Sequence, residues 1–170
     1  MRNRIQIRRV ISFFFILFSI QFISCNKSNT LNQCKMSRGK DFRNLREDYD
    51  YDFFFDLNSA QECSRKTNRK LLLVFTGYTT VSCPGTHYEL FKNKKIKRLI
   101  QNDYIPTILY IDVNINGINY ANLLSDSFDS NTIPTYAIVD SNLKPYGNKL
   151  GYTRLKDSKI LVDELKRNID

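Results

Sequence analysis

The chain has 170 residues, 42% of them hydrophobic and 13% aromatic, which is enough for one ordinary core and cramped for two domains. Its formal charge is +9, but Arg2, Arg4, Arg8 and Arg9 precede an apolar run, and without them 22 basic residues stand against 17 acidic ones, a net +5. That balance speaks for solubility rather than a polyanionic partner: the basic run Lys92, Lys94, Lys95, Lys97 and Arg98 interleaves with Phe91, Ile96, Leu99 and Ile100 as a solvated helix face does, and no nucleic-acid partner is expected.

Residues 1–24 read as a signal peptide, with a basic start, the apolar stretch Val10 to Ile23 and the small residue Ser24 before Cys25. A largely apolar stretch of 14 residues suits a signal core better than a spanning helix, which needs about 20 apolar residues. Phe22-Ile23-Ser24-Cys25 resembles the lipobox of bacterial lipoproteins, with Phe22 where leucine is usual. The resemblance implies lipid attachment at Cys25 and a membrane partner through that lipid. A plainly cleaved secretion signal and an uncleaved anchor are the other readings, and all three place the domain outside the cytoplasm, in the periplasmic space or cell envelope. Residues 25–52 are then a tether and a loosely ordered lead-in, and 53–170 the folded domain.

The acidic and aromatic cluster Asp48 to Asp56 is either a first strand or a packing arm. Ser59-Ala60-Gln61-Glu62 has the pattern of a capping box, so a helix is expected from Ser59 to about Asn68. Leu71 to Phe75 is an unbroken apolar run, the mark of a strand covered on both faces, and Gly77 ends it. A helical stretch follows from Pro84 to Gln101 with a break near Asn93. The second strand spans Ile105 to Val113, with Pro106 at its start or edge, where no ladder donor is needed. Tyr136 to Val139 is the third strand, Asp140-Ser141-Asn142 a turn, Lys149 to Tyr152 the fourth strand. Ile160, Leu161, Leu165 and Ile169 give a closing helix its apolar face. This order predicts an α/β, three-layer fold: a central mixed sheet of four to five strands with helices on both faces.

Phe75-Thr76-Gly77-Tyr78-Thr79-Thr80-Val81-Ser82-Cys83 resembles the active-site approach of the thioredoxin superfamily. More narrowly, residues 56 to 169 are similar to the carboxy-terminal thioredoxin-like domain of membrane thiol:disulfide interchange reductases. The similarity continues through Asn102-Asp103-Tyr104, Leu109-Tyr110-Ile111-Asp112, Ile133-Pro134-Thr135-Tyr136 and Gly151-Tyr152-Thr153. No single phrase is specific, but their order and spacing agree. The resemblance implies that Pro134 follows a cis peptide bond and lies against the active-site cysteine; the plainer reading is a proline that starts a strand.

Thiol–disulfide exchange needs an attacking thiolate and usually a second cysteine one turn later. Here the first position is Thr80, whose hydroxyl can neither form a thiolate nor join a disulfide. In that register Cys83 is the inner, resolving cysteine without its partner. In a second register the helix starts at Pro84, proline being favoured at the first helical position, and Cys83 caps it at the positive end of the dipole. The first register puts Pro84 deeper in the first turn, where its ring approaches the carbonyl of residue 80, and this steric argument favours the second.

Thr80-Val81-Ser82-Cys83 also matches the Thr-x-x-Cys core of peroxiredoxins, although Thr76 stands where that motif has proline. His87, the sole histidine, is four residues after Cys83 and allows a thiolate–imidazolium pair; a solvated surface histidine is the plainer reading. Cys34 and Cys63 either pair in an oxidising compartment or leave Cys63 as a buried apolar filler. Three thiols outside the anchor are too few for a closed zinc site, so neither metal nor cofactor is expected.

These residues support an envelope thioredoxin-like protein acting on protein or peptide thiols and disulfides, monothiol or weakly active through Cys83, and monomeric. A redox-inactive module holding extended peptides beside Pro134 is the alternative, and peroxide reduction the third.

Overall fold

The computed structural model describes residues 34, 37–38, 52–80, 82–114 and 119–169, all within the unit Leu31–Asp170. The expected signal peptide, lipid site Cys25 and most of the tether lie outside the described residues. Among those described, no helix is long and apolar enough to cross a membrane.

In chain order the elements are β1 (Ser37–Arg38), β2 (Asp52–Phe53), α1 (Leu57–Thr67), β3 (Lys70–Thr76), α2 (Ser82–Lys92), α3 (Lys94–Asp103) and β4 (Tyr104–Tyr110). A π-helical segment (Leu123–Ser127), β5 (Thr135–Val139), β6 (Pro145–Gly151), α4 (Tyr152–Leu155) and α5 (Ser158–Arg167) complete the fold. The sheet runs β4-β3-β5-β6. β3 pairs parallel with β4 and antiparallel with β5, and β5 pairs antiparallel with β6. β1 and β2 form a two-residue antiparallel pair. The chain then touches the open edge of β4 at Phe54, whose amide donates to the Pro106 carbonyl at 3.0 Å and whose carbonyl accepts from the Ile108 amide at 2.8 Å. Of the Asp48–Asp56 cluster, the described residues 52–54 are therefore a strand-like arm on the sheet edge. Pro106 stands inside β4, and because its carbonyl faces Phe54 its nitrogen faces the same way, so the ladder to β3 loses no donor.

Alternation along the central strands divides the core in two. Leu72 and Val74 join Phe53, Ile96, Ile100, Ile108, Leu161 and Leu165 on one face, covered by α2, α3 and α5. Leu71, Leu73 and Phe75 join Phe54, Cys63, Ile105, Leu109, Leu124 and Phe128 on the other, covered by α1 and the π-helical segment. All five apolar residues from Leu71 to Phe75 are fully buried, each contributing about 1.5–3 kcal/mol. The α/β, three-layer architecture with a mixed four-stranded sheet is thus present.

Several boundaries are corrected. Helix α1 starts at Leu57 and its cap is Asp56, whose carboxylate accepts from the Ser59 amide at 2.8 Å; Ser59 lies inside the helix, and Glu62 pairs with Lys66 at 2.5 Å instead of reaching back. Asn68 closes the helix with φ 52, in the left-handed region that asparagine tolerates. The helical stretch expected to begin at Pro84 begins at Ser82. Asn93 breaks it because its side chain caps α3, accepting from Lys95 and Ile96 amides. Strand β4 ends at Tyr110 rather than Val113. β6 starts at Pro145, four residues before the expected fourth strand, and Tyr152 belongs to α4. Its early residues are solvent-exposed on an edge strand, so they carry no apolar alternation to read. Ile169 is 40% exposed beyond α5, and Val162 takes its place in the core.

Candidate functional site

β3 and β5 are neighbours in register, with Phe75 opposite Thr135, so the turn after β3 and the turn before β5 meet at one end of the sheet. Gly77 leaves β3 fully surrounded. A Cβ there would stand 2.2 Å from Thr80 Oγ1 and 2.9 Å from Ile133 Cδ1, closer than carbon atoms approach, so only glycine lets Thr80 and Ile133 close over this point. Ile133 precedes Pro134, the bond between them is cis, and Pro134 is buried. Gly77, Thr80 and the Ile133–Pro134 turn therefore form one site.

The loop is held from β4. The Asp112 carboxylate accepts from the Tyr78 amide at 2.7 Å, the Thr79 amide at 2.9 Å and the Thr79 hydroxyl at 2.7 Å. Partial burial raises the Asp112 pKa, but these hydrogen bonds outweigh it and leave the group below its ordinary value. The Tyr78 ring meets Tyr110 edge-on at 5.3 Å. Sequence reasoning quoted Asp112 only as the end of a strand phrase; its one readable signal is a carboxylate placed directly after a β-run.

Cys83 is the free thiol among the described cysteines, and it is fully buried. As the second residue of α2 it is not the cap of a helix starting at Pro84, and Pro84 is the third residue. The steric argument fails for a simple reason. Thr80, four residues before Pro84, lies outside α2, so no helical carbonyl stands where the ring would meet it, and a first-turn amide has no intrahelical acceptor to lose. The other described cysteines are spent on a disulfide between Cys34 and Cys63, whose Cα atoms are 5.8 Å apart; Cys63 is 3% exposed on α1.

His87 is likewise fully buried, which overturns the surface reading. Its Nε2 lies 2.8 Å from Thr76 Oγ1 and its Nδ1 2.7 Å from Tyr136 Oη. One ring nitrogen donates and the other accepts, as a neutral imidazole requires. Burial pushes its pKa down to about 3, so at neutral pH it is no imidazolium and offers Cys83 no cationic partner. Beyond α2's first turns, a groove of about 590 Å³ is lined by Gly85, Thr86, Glu89, Leu90, Tyr152 and Leu155, among others. Among the described residues no group of His, Cys, Asp or Glu side chains could hold a metal.

No protein-family model matches the chain, and no curated protein matches it. Solved structures do. A thioredoxin from Thermus thermophilus superposes with TM-score 0.54 at 13% identity, covering 68% of this chain and 85% of its own. A disulphide isomerase from Xylella fastidiosa Temecula1 gives 0.51 at 21% identity, covering 75% and 98%. This chain has the thioredoxin fold. A third structure, DsbH oxidoreductase, agrees with TM-score 0.51 at 13% identity over 66% of this chain and 83% of that one. On the thioredoxin fold of this chain, Gly77, Thr80 and the cis Ile133–Pro134 turn share one end of the sheet, and Cys83 is buried in the first turn of α2.

Proposed function

We propose that this is an exported, monomeric thioredoxin-fold protein related to the interchange domains of membrane thiol:disulfide reductases, held at the cell envelope by lipid on Cys25. Its clients are protein thiols and disulfides, received at the Thr80–Pro134 edge, and exchange through Cys83 is slow. One observation carries this reading: the outer position is Thr80, and the remaining thiol, Cys83, is fully buried in the inner one. A thiol without exposure cannot meet a client sulfur until the first turn of α2 opens. The same burial weighs against peroxide reduction, which needs a thiolate open to solvent. It also favours, as the limit of zero exchange, a redox-inactive module for extended peptides.

Insulin reduction by a dithiol tests this with wild type, Cys83→Ser and Thr80→Cys. Slow wild-type turnover lost in Cys83→Ser, with at least a tenfold gain in Thr80→Cys (order of magnitude, from restoring a resolving pair), is the expected result. Equal rates for wild type and Cys83→Ser leave only the binding module, and turnover of wild type as fast as Thr80→Cys overturns the reading. Acyl labelling of wild type but not Cys25→Ala is expected for the lipid anchor, and equal labelling removes it.

A further inference from the structure

We propose that Asp112 is the positioning residue of this site, a latch that fixes the Gly77–Thr80 loop and thereby sets how often Cys83 becomes accessible. The inference rests on reading residues 77–83 as the functional loop, and deepens it by naming what controls the buried thiol.

The segment between the end of β3 and the start of α2 has two backbone amides, Tyr78 and Thr79, that point away from any ladder and find their acceptor in one carboxylate 33 and 34 residues away. The Thr79 hydroxyl adds a third bond to the same group. Three donors on one anion make a charge-assisted anchor, the stronger class of hydrogen bond. β4 itself is a rigid base for it: every residue from Tyr104 to Tyr110 is buried, β4 runs parallel with β3 in continuous register, and the Ile111 amide still donates to the Thr76 carbonyl at 3.1 Å. Asp112 stands two residues beyond β4, in a bend that this Ile111–Thr76 bond ties to the sheet. Directly after Tyr78 and Thr79, Thr80 lies over Gly77 and beside Ile133. Three residues later Cys83 is fully enclosed. Release of the carboxylate bonds frees the chain that leads into α2, and the first turn of α2 is the part that must move for the thiol to be reached.

The test is native-state alkylation of Cys83 in the full chain, read residue by residue by peptide mass. Asp112→Asn keeps one carbonyl acceptor and turns an amide group toward the remaining donors. It is expected to raise the Cys83 labelling rate about tenfold or more, the size of effect that follows from losing a bond to a charged acceptor. Thr79→Val, which removes only the hydroxyl bond, should raise it by a smaller factor. In both variants the faster labelling should be nearly independent of urea at low concentration, the signature of local opening, whereas access through global unfolding rises steeply with urea. Labelling at the wild-type rate in a folded Asp112→Asn protein overturns the latch. So does a rise that appears only along the urea-dependent route, since that is what a purely structural side chain would give. The readout needs no client, so failure of the insulin assay and failure of the latch are separate results.

Discussion

His87 is the chain's single histidine, and its environment makes a prediction about pH. It is enclosed between Thr76 on β3 and Tyr136 on β5, hydrogen-bonded to both and stacked 19° from the plane of Phe91. Because burial holds its pKa near 3 against an ordinary 6.5, the folded ring stays neutral in a range where the unfolded ring takes up a proton. The unfolded state therefore binds more protons, and stability falls as pH drops below 6.5, by about 1.4 kcal/mol per unit until the folded pKa is reached. Between pH 6.5 and 4.5 urea unfolding should show a loss of about 2 kcal/mol in wild type that is missing in His87→Gln. An identical pH slope in the two proteins would mean that the ring is not enclosed. The sequence could not foretell this burial. Its partners are 11 and 49 residues away, and spacing within the helix says nothing about a strand brought over it by the fold. By contrast the end of β3 at Gly77 was legible from the apolar run before it, while the cis bond at Pro134 came from the family resemblance and not from the residue itself.

At the scale of elements, long apolar runs and breaks were readable, and starts were not. Leu71 to Phe75 needs no partner to declare itself, and Asn93 marks its own break by capping α3. Helix α1 shows the opposite case. Both Asp56 and Ser59 are capping residue types, and the Ser59…Glu62 spacing favoured the wrong one. The choice is made by the arm before it: Phe53 and Phe54 enter opposite faces of the core, which brings Asp56 to the point where the chain turns into the helix. The two candidates separate cleanly by mutation. Asp56→Ala should cost about 1 kcal/mol by loss of its bond to the Ser59 amide, while Ser59→Ala should stay within about 0.5 kcal/mol. The Asp56 pKa is held below its ordinary value, chiefly by the Ser59 hydroxyl, with the Ser59 and Asn58 amides adding less. Its contribution is thus present above the ordinary carboxylate range and fades as pH falls through the lowered value. A larger loss at Ser59 than at Asp56 in urea melts would restore the capping box.

For the whole molecule, the general architecture followed from the order of elements, but the way its first residues are secured did not. Sequence alone left Cys63 equally suited to a bridge or to apolar filling, since both uses bury it. The fold decides by bonding Cys34 to Cys63 on α1, with Ser37–Arg38 paired to Asp52–Phe53 and Phe54 closing on β4. The disulfide links residues 29 apart, and a cross-link of that span removes conformational freedom mainly from the unfolded chain. It is therefore worth about 3 to 4 kcal/mol. Dithiothreitol should lower the wild-type urea midpoint correspondingly without altering the folded far-ultraviolet spectrum, because β3, β4 and β5 bury their side chains without help from the bridge. The Cys34→Ser/Cys63→Ser protein should start at that lower midpoint and ignore the reductant. If it responds as wild type does, the sensitivity to reductant does not come from this bridge. If neither protein responds, the lead-in is secured by Phe53 and Phe54 alone, and the bridge adds nothing to global stability.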